Sequence, residues 1–150
     1  MKTNPGVQFR DDSPATDDLV PSREIMVYNN GTALVAGDVV RLDPSFTNPI
    51  GIGVIQHTAA AASAAWVIGA AVEPIAAGAW GRVRVQGVQA GVKLAGSTAA
   101  GAILVGSAAA AGTLATQSAT YAATHHPVAR CVVAESGGTG TVQWFGNCGY

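Results

Sequence analysis

One arrangement of residues occurs twice in this chain and restricts its fold more than any other feature. An apolar run from Trp66 to Val72 is followed by a turn from Glu73 to Trp80, which contains Pro74 and Gly78, and then by alternating polar and apolar residues over 82–86. An apolar run, a Pro/Gly turn and a period of two are together typical of two antiparallel strands. The β-branched valines of these segments favour the same state, because they fit a pleated, half-buried surface.

The arrangement returns near the C-terminus. The run Val128 to Val133 matches the first apolar run, and Gly140 to Gly146 matches the alternating segment. In this alignment Gly81 coincides with Gly140, Val83 with Val142, Val85 with Trp144 and Gly87 with Gly146. Two copies are too few for a stacked repeat array, which needs about three. The repeated hairpin therefore predicts one sheet system that closes on itself.

Short apolar segments between turn signals fill the rest of the chain. They cover residues 25–28, 32–35, 38–42, 50–56, 88–94, 102–105 and 113–116. Gly91 is the expected site of a bulge or corner, and Ala59 to Ala65 can form a helical turn. Short strands at this spacing predict an all-β fold, a small β-barrel or β-sandwich with an extended N-terminal arm. We place the arm at residues 1–24 and the body at residues 25–150.

Charge is distributed unevenly between these two parts. Residues 1–24 hold eight charged side chains, and the remaining 126 residues hold only nine. A freely soluble monomer usually interleaves about 25–35% charged residues over its surface. The body is therefore expected either to be covered by other proteins or to come from a lineage that tolerates Ala/Gly/Ser/Thr surfaces. The net charge of −1 gives no electrostatic case for binding nucleic acid or an anionic membrane.

The N-terminal arm contains three prolines and little periodicity. This composition is typical either of a disordered segment without a role or of an extended arm that lies along a partner surface. Its spaced apolar residues would make the contacts in the second case: Val7, Phe9, Leu19 and Val20. Residues 1–14 lack the apolar core of a secretory signal, so we expect synthesis in the cytoplasm.

No arrangement of residues predicts catalysis or a cofactor. The serines lack a Gly-x-Ser-x-Gly elbow, and Gly51-Ile52-Gly53 lacks the rest of a phosphate-binding loop. Glu73 and Glu135 lie at turns, where carboxylates are usually solvated. Adjacent histidines, as at 125–126, point to opposite faces of an extended segment and suit one metal badly. We therefore expect a protein that is not an enzyme and holds neither metal nor cofactor.

The two cysteines are expected to remain free thiols. A turn centred near Gly137 places Cys131 opposite Gln143, and Cys148 then lies about 16 Å further along the strand. A disulfide needs Cα atoms within about 7 Å. Cys131 is expected in the core.

Four polar side chains are candidates for an assembly interface. Arg82, Arg84 and Gln86 share one strand face, and Arg130 falls in the matching C-terminal hairpin. Aromatic residues do not interleave on that face, which disfavours nucleic-acid binding. In so charge-poor a body we expect these arginines to form salt bridges between subunits.

Several segments resemble the small capsid decoration (cement) proteins of tailed bacteriophages. They are Ala36–Leu42, Ile68–Gly78, Gly81–Gly87, Val128–Val133 and Gly140–Trp144, and the likeness extends over residues 33–146. The resemblance implies a β-barrel-like body, often a homotrimer, bound to the major capsid protein on the outside of the head. It also implies an N-terminal arm that reaches neighbouring subunits, and no catalysis. The arm here is longer and more acidic than this family leads us to expect.

Two other classes stay open at this stage. One is another phage structural part, such as a head fibre base or a tail component. The other is a carbohydrate-binding or receptor-binding module, for which Trp80 at the turn is the best candidate contact.

Overall fold

A computed structural model describes residues 21–60, 66–118 and 126–146. Within these ranges the chain forms nine strands: β1 Arg23–Asn29, β2 Val39–Leu42, β3 Ile52–Gln56, β4 Val67–Ala71, β5 Trp80–Leu94, β6 Ile103–Gly106, β7 Leu114–Thr116, β8 Ala129–Cys131 and β9 Gly138–Phe145. The predicted all-β class is confirmed. In the described part of the chain, no helix is long and apolar enough to cross a membrane.

The first five strands close into a small barrel. Strand β1 pairs with β3 in parallel, β3 with β2, β2 with β4, β4 with β5, and β5 returns to β1, the last four pairings being antiparallel. Every strand of this ring has two neighbours. A closed ring leaves no unpaired sheet edge, which is how small all-β proteins avoid edge-to-edge association.

The same ring is built a second time from the C-terminal half. The second part of β5 pairs with β7 in parallel, β7 with β6, β6 with β8, β8 with β9, and β9 returns to β5. Each pairing has its counterpart in the first barrel, with the second part of β5 in the place of β1. Two isolated bridges also correspond, Leu34 with Ile75 and Thr98 with Glu135. The whole five-strand barrel is therefore duplicated in the chain, and the repeated hairpin is the part of this duplication that the sequence shows.

Strand β5 is a member of both barrels. Up to Gln89 its odd-numbered residues point inward: Val83 and Val85 into the first barrel, and Gln89, which lies opposite Val142, toward the second. Beyond the bulge the even-numbered Val92 and Leu94 point inward. The pairing with β9 is interrupted between Gln89 and Val92, and Gly91 has φ of 73° there. The predicted bulge at Gly91 is confirmed. Its left-handed backbone favours glycine.

Two apolar clusters fill the barrels. The first contains Val27, Leu34, Val40, Val54, Ile68, Ala71, Ile75, Val83 and Val85. The second contains Val92, Leu94, Leu104, Leu114, Val128, Ala129, Cys131, Val142 and Trp144, and also Val39, Val67 and Ala70. The last three come from β2 and β4, beside residues that point into the first barrel. One sheet side of the first barrel therefore packs against the second, and apolar contact joins the two.

A half-buried ion pair reinforces this junction. The Asp38 carboxylate, only 3% exposed, lies 2.5 Å from the Lys93 ammonium. Its other oxygen accepts a hydrogen bond from the backbone N–H of Val35, and the N–H of Lys93 donates to the carbonyl of Gly37. The turn before β2 is thereby fixed to the second half of β5.

The structure corrects two details of the sequence interpretation. Residues 32–35 were expected to be a strand, but Leu34 makes only an isolated bridge. Cys131 lies opposite Val142, and Arg130 opposite Gln143, which is one residue from the expected register. The turn is centred half a residue earlier than assumed. A one-residue slip would have paired inward-facing Cys131 with outward-facing Gln143, which burial of the hairpin's inner face opposes.

The N-terminal strand begins at Arg23, two residues before the expected start of the body. Residues 1–20 lie outside the described residues, as do 61–65 of the expected Ala-rich turn and Cys148.

Cys131 is expected to react slowly with thiol reagents while the protein is folded. The residue is 1% exposed, and burial raises the pKa of its thiol, so both access and thiolate content are low. In a Cys148→Ser variant, we expect the rate of reaction with Ellman's reagent to be at least about tenfold lower in buffer than in denaturant. Equal rates in the two conditions would contradict the placement of Cys131 in the second core.

Candidate functional site

The four predicted interface residues of the body share one continuous face. Even-numbered residues of β5 before the bulge at Gly91 point outward, so Arg82, Arg84 and Gln86 form a row. Their partners across β1 and β9 are Met26, Glu24 and Phe145, in that order. Arg130 lies opposite Gln143, which in turn lies opposite Val88 of β5. We call the outward side of β1, β5, β8 and β9 the assembly face.

The two arginines of β5 have carboxylate partners within the chain. Arg82 makes two hydrogen bonds of 3.1 Å to Glu73 and a third, of 3.3 Å, to Glu24. Arg84 binds the other oxygen of Glu24 at 2.5 Å. The hydrogen bonds that Arg82 donates to the Glu73 carboxylate lower the pKa of Glu73 and raise the pKa of Arg82. The prediction that these arginines bridge subunits stays untested, but their charges are already compensated.

Other contacts hold the row in place. Arg84 also donates to the carbonyl of Val88 at 2.5 Å, and Arg130 donates through Nε to the side-chain oxygen of Gln143 at 2.6 Å. Among the described residues, Arg130 has no carboxylate within ion-pair distance. Arg130 is therefore the member of the predicted set that offers an uncompensated charge on this face.

An aromatic cluster occupies the first-barrel end of the assembly face. The rings of Tyr28 and Phe46 stack with centroids 5.2 Å apart, and Trp80 meets Tyr28 edge-on at 5.5 Å. Trp80 lies over Gly51, and Phe46 lies over Gly53; a Cβ at either glycine would overlap the ring above it. The two glycines therefore provide the space in which the rings pack against the outside of β3.

A hydrogen-bonded loop brings Phe46 into this cluster. The carboxylate of Asp43 accepts from the Asn30 amide at 2.6 Å and from the backbone and hydroxyl of Ser45 at 2.9 and 2.7 Å. Burial acts to raise the pKa of Asp43, but these hydrogen bonds outweigh it and hold the pKa below its ordinary value. The N–H of Phe46 donates to the Asp43 carbonyl at 3.2 Å. Asp43 therefore acts as the organising residue of the loop.

Sequence reasoning identified only Trp80 from this cluster. Met26 and Ile50, which are 56% and 78% exposed, lie at the same end of the face. Met26 is opposite Arg82 and two residues from Tyr28 on β1, and Ile50 directly precedes Gly51. The alternating glycines at 51 and 53 were a usable signal, because they leave a strand face free of side chains where rings can rest.

The other predicted site residues are not brought into this arrangement. Val7, Phe9, Leu19 and Val20 lie outside the described residues, as does His125. In the ranges that the structure covers, no group of three or more His, Cys, Asp or Glu side chains is placed to hold a metal ion.

The fold of this chain is similar to that of a solved phage protein. No profile of a known protein family matches the chain, and no curated protein sequence matches it. Among solved structures, the head fiber gp8.5 N base of bacteriophage phi29 is similar, with a TM-score of 0.55. The match covers 83% of this chain and 94% of that chain at 14% sequence identity. At this identity the likeness shows a shared fold, and the neighbour that shares it is described as the base of a head fibre.

Proposed function

We propose that this chain is a structural protein of a bacteriophage virion, bound to the outside of the head. The observation that supports it most is the fold, which matches nearly the whole of the phi29 head fibre base. The exposed aromatic and aliphatic side chains of the assembly face support the same proposal, since Trp, Tyr, Phe, Met and Arg are enriched in protein interfaces.

The duplicated barrel suits such a role physically. Two closed rings with a common strand and a joint apolar core make a rigid body, which loses little conformational freedom when it binds. A protein that binds the assembled shell and not its separate parts stabilises the shell by mass action. Many copies, each with a modest interface, then resist disruption of the shell together. This mechanism needs no catalytic group.

Two forms of this function are candidates. The first is a decoration protein that binds the major capsid protein, as a homotrimer, and reinforces the lattice; the resemblance in the sequence favours it. The second is the base of a head fibre, which the structural likeness to phi29 supports equally well. The two differ in their expected effect on the stability of the shell.

Binding to preformed heads tests the proposal and separates its two forms. Purified protein is mixed with heads that lack it, and both co-sedimentation and the temperature of head disruption are measured. A decoration protein is expected to bind in many copies and raise the disruption temperature. A fibre base is expected to bind heads and leave that temperature unchanged. Absence of binding at every salt concentration would reject both forms.

Removal of residues 1–20 tests whether the arm contributes to the binding of heads. The cut must stop before Pro21, because Arg23 begins β1 and Glu24 binds both Arg82 and Arg84. We expect the shortened protein to unfold at nearly the same temperature and to bind heads at least about tenfold more weakly, equivalent to about 1.4 kcal/mol. Unchanged affinity would show that the arm makes no contact with the shell.

A further inference from the structure

We infer that one end of the assembly face, and not its arginine row, holds the shell, and that the partner surface there is apolar and uncharged protein. This end, the Trp80 patch, consists of Met26, Tyr28, Phe46, Ile50 and Trp80. The inference rests on the proposed function and specifies which part of the face carries it.

The patch combines large exposed apolar side chains with a fixed arrangement. Met26, Ile50 and Trp80 are 56%, 78% and 44% exposed. The Trp80 ring meets Tyr28 edge-on, and Tyr28 stacks on Phe46. Trp80 rests on Gly51 and Phe46 on Gly53, so these rings are held against the barrel before any partner arrives. Preorganised aromatic groups lose little entropy on binding, and Trp and Tyr are over-represented among the residues that dominate binding energy.

The charges around the patch point to an uncharged partner. Arg82, the neighbour of Met26 across the strands, is compensated by Glu73 and Glu24. The Asp43 carboxylate accepts three hydrogen bonds from Asn30 and Ser45. A charged partner would have to displace these ion pairs and hydrogen bonds. An apolar surface gains from the exposed carbon area without that cost.

A glycan is the other ligand class that uses exposed aromatic rings. The side chains next to Trp80 decide between the two. Ile50 and Met26 are aliphatic and highly exposed, and they would be covered by a protein surface but would offer no hydrogen bonds to sugar hydroxyls. The composition of the patch therefore favours a protein partner.

Two variants of the patch and one control variant test this inference with preformed heads. Trp80→Ala and Ile50→Ser are compared with Trp66→Ala, which removes a tryptophan of matching exposure, 47%, that lies before β4 and outside the patch. We expect the first two variants to bind heads at least about tenfold more weakly and Trp66→Ala to bind normally. Ile50→Ser keeps the test valid if Trp80→Ala fails to fold, because so exposed a side chain contributes little to stability.

Salt and sugar dependence complete the test. Affinity for heads is expected to change less than about threefold between about 50 and 500 mM NaCl, since contacts between uncharged groups are not screened. The inference is overturned by normal binding of Trp80→Ala and Ile50→Ser, by a steep salt dependence, or by Trp80-dependent fluorescence quenching with free sugars. In the first two of these results the unaltered protein still binds heads, so the proposed function stands. Failure of the unaltered protein to bind would reject both.

Discussion

Val83→Asp is expected to prevent the chain from folding. Val83 is completely buried in the first barrel, where it lies opposite Ile25 on one side and Ala71 on the other. The carboxylate would enter a cavity lined by carbon, and burial of an unpaired polar group costs about 2–7 kcal/mol, with more for a charge. The total stability of a domain is about 5–15 kcal/mol. We expect the variant to be insoluble or to lack a cooperative unfolding transition.

Gln86→Asp is the matched control. It places the same carboxylate three residues further along β5, but on the outward side, where Gln86 is half-buried beside Phe145. This variant should be soluble and unfold cooperatively at nearly the normal temperature. A folded Val83→Asp protein would show that the inward and outward sides of β5 have been assigned the wrong way round.

Trp144→Ala is expected to cause the largest loss of stability among variants that truncate a side chain in the second barrel. Trp144 is 2% exposed and is the largest of the fully buried side chains. Truncation of a buried tryptophan to alanine typically costs about 3–5 kcal/mol. The indole N–H also donates to the side-chain oxygen of Gln89 at 3.0 Å. Loss of this donor leaves a buried acceptor without its partner, at a further cost of about 1–3 kcal/mol.

The same contact chain connects the two barrels. Gln89, which receives the bond from Trp144, donates to the carbonyl of Ala71 in the first barrel at 3.1 Å. We therefore expect denaturant unfolding of Trp144→Ala to remain a single transition, shifted to lower denaturant for both barrels. Trp144→Phe retains most of the volume and removes the N–H, so it should lose less stability. A loss below about 1 kcal/mol for Trp144→Ala, or a separate transition for the second barrel, would contradict this description of the core.

The strands of both hairpins could be predicted from sequence because their signals are local. Alternation over 82–86 and 140–144, with glycines and Pro74 in or near the turns, fixes strand, turn and inward face together. The two closed rings could not be predicted. They depend on pairings between distant segments, such as β1 with β5, and on β5 leaving one barrel for the next at a bulge. No local pattern shows that a strand has different neighbours at its two ends.

The assembly face could also be predicted only where local alternation defines it. Alternation placed Arg82, Arg84 and Gln86 on one side of a strand, and the duplicated hairpin placed Arg130 on the corresponding side. The partner that both arginines share, Glu24, was missed because it is 58 and 60 residues distant in sequence and had been assigned to the arm. The aromatic cluster was missed for the same reason, since Tyr28, Phe46 and Trp80 meet only after β1, β3 and β5 have come together.

An image reconstruction of the virion would show directly whether this protein lies on the head. We predict density for a two-barrel body on the outer surface of the head, with the Trp80 patch turned toward the shell. Virions in which the protein is absent from the head surface, or present only in the tail, would contradict it.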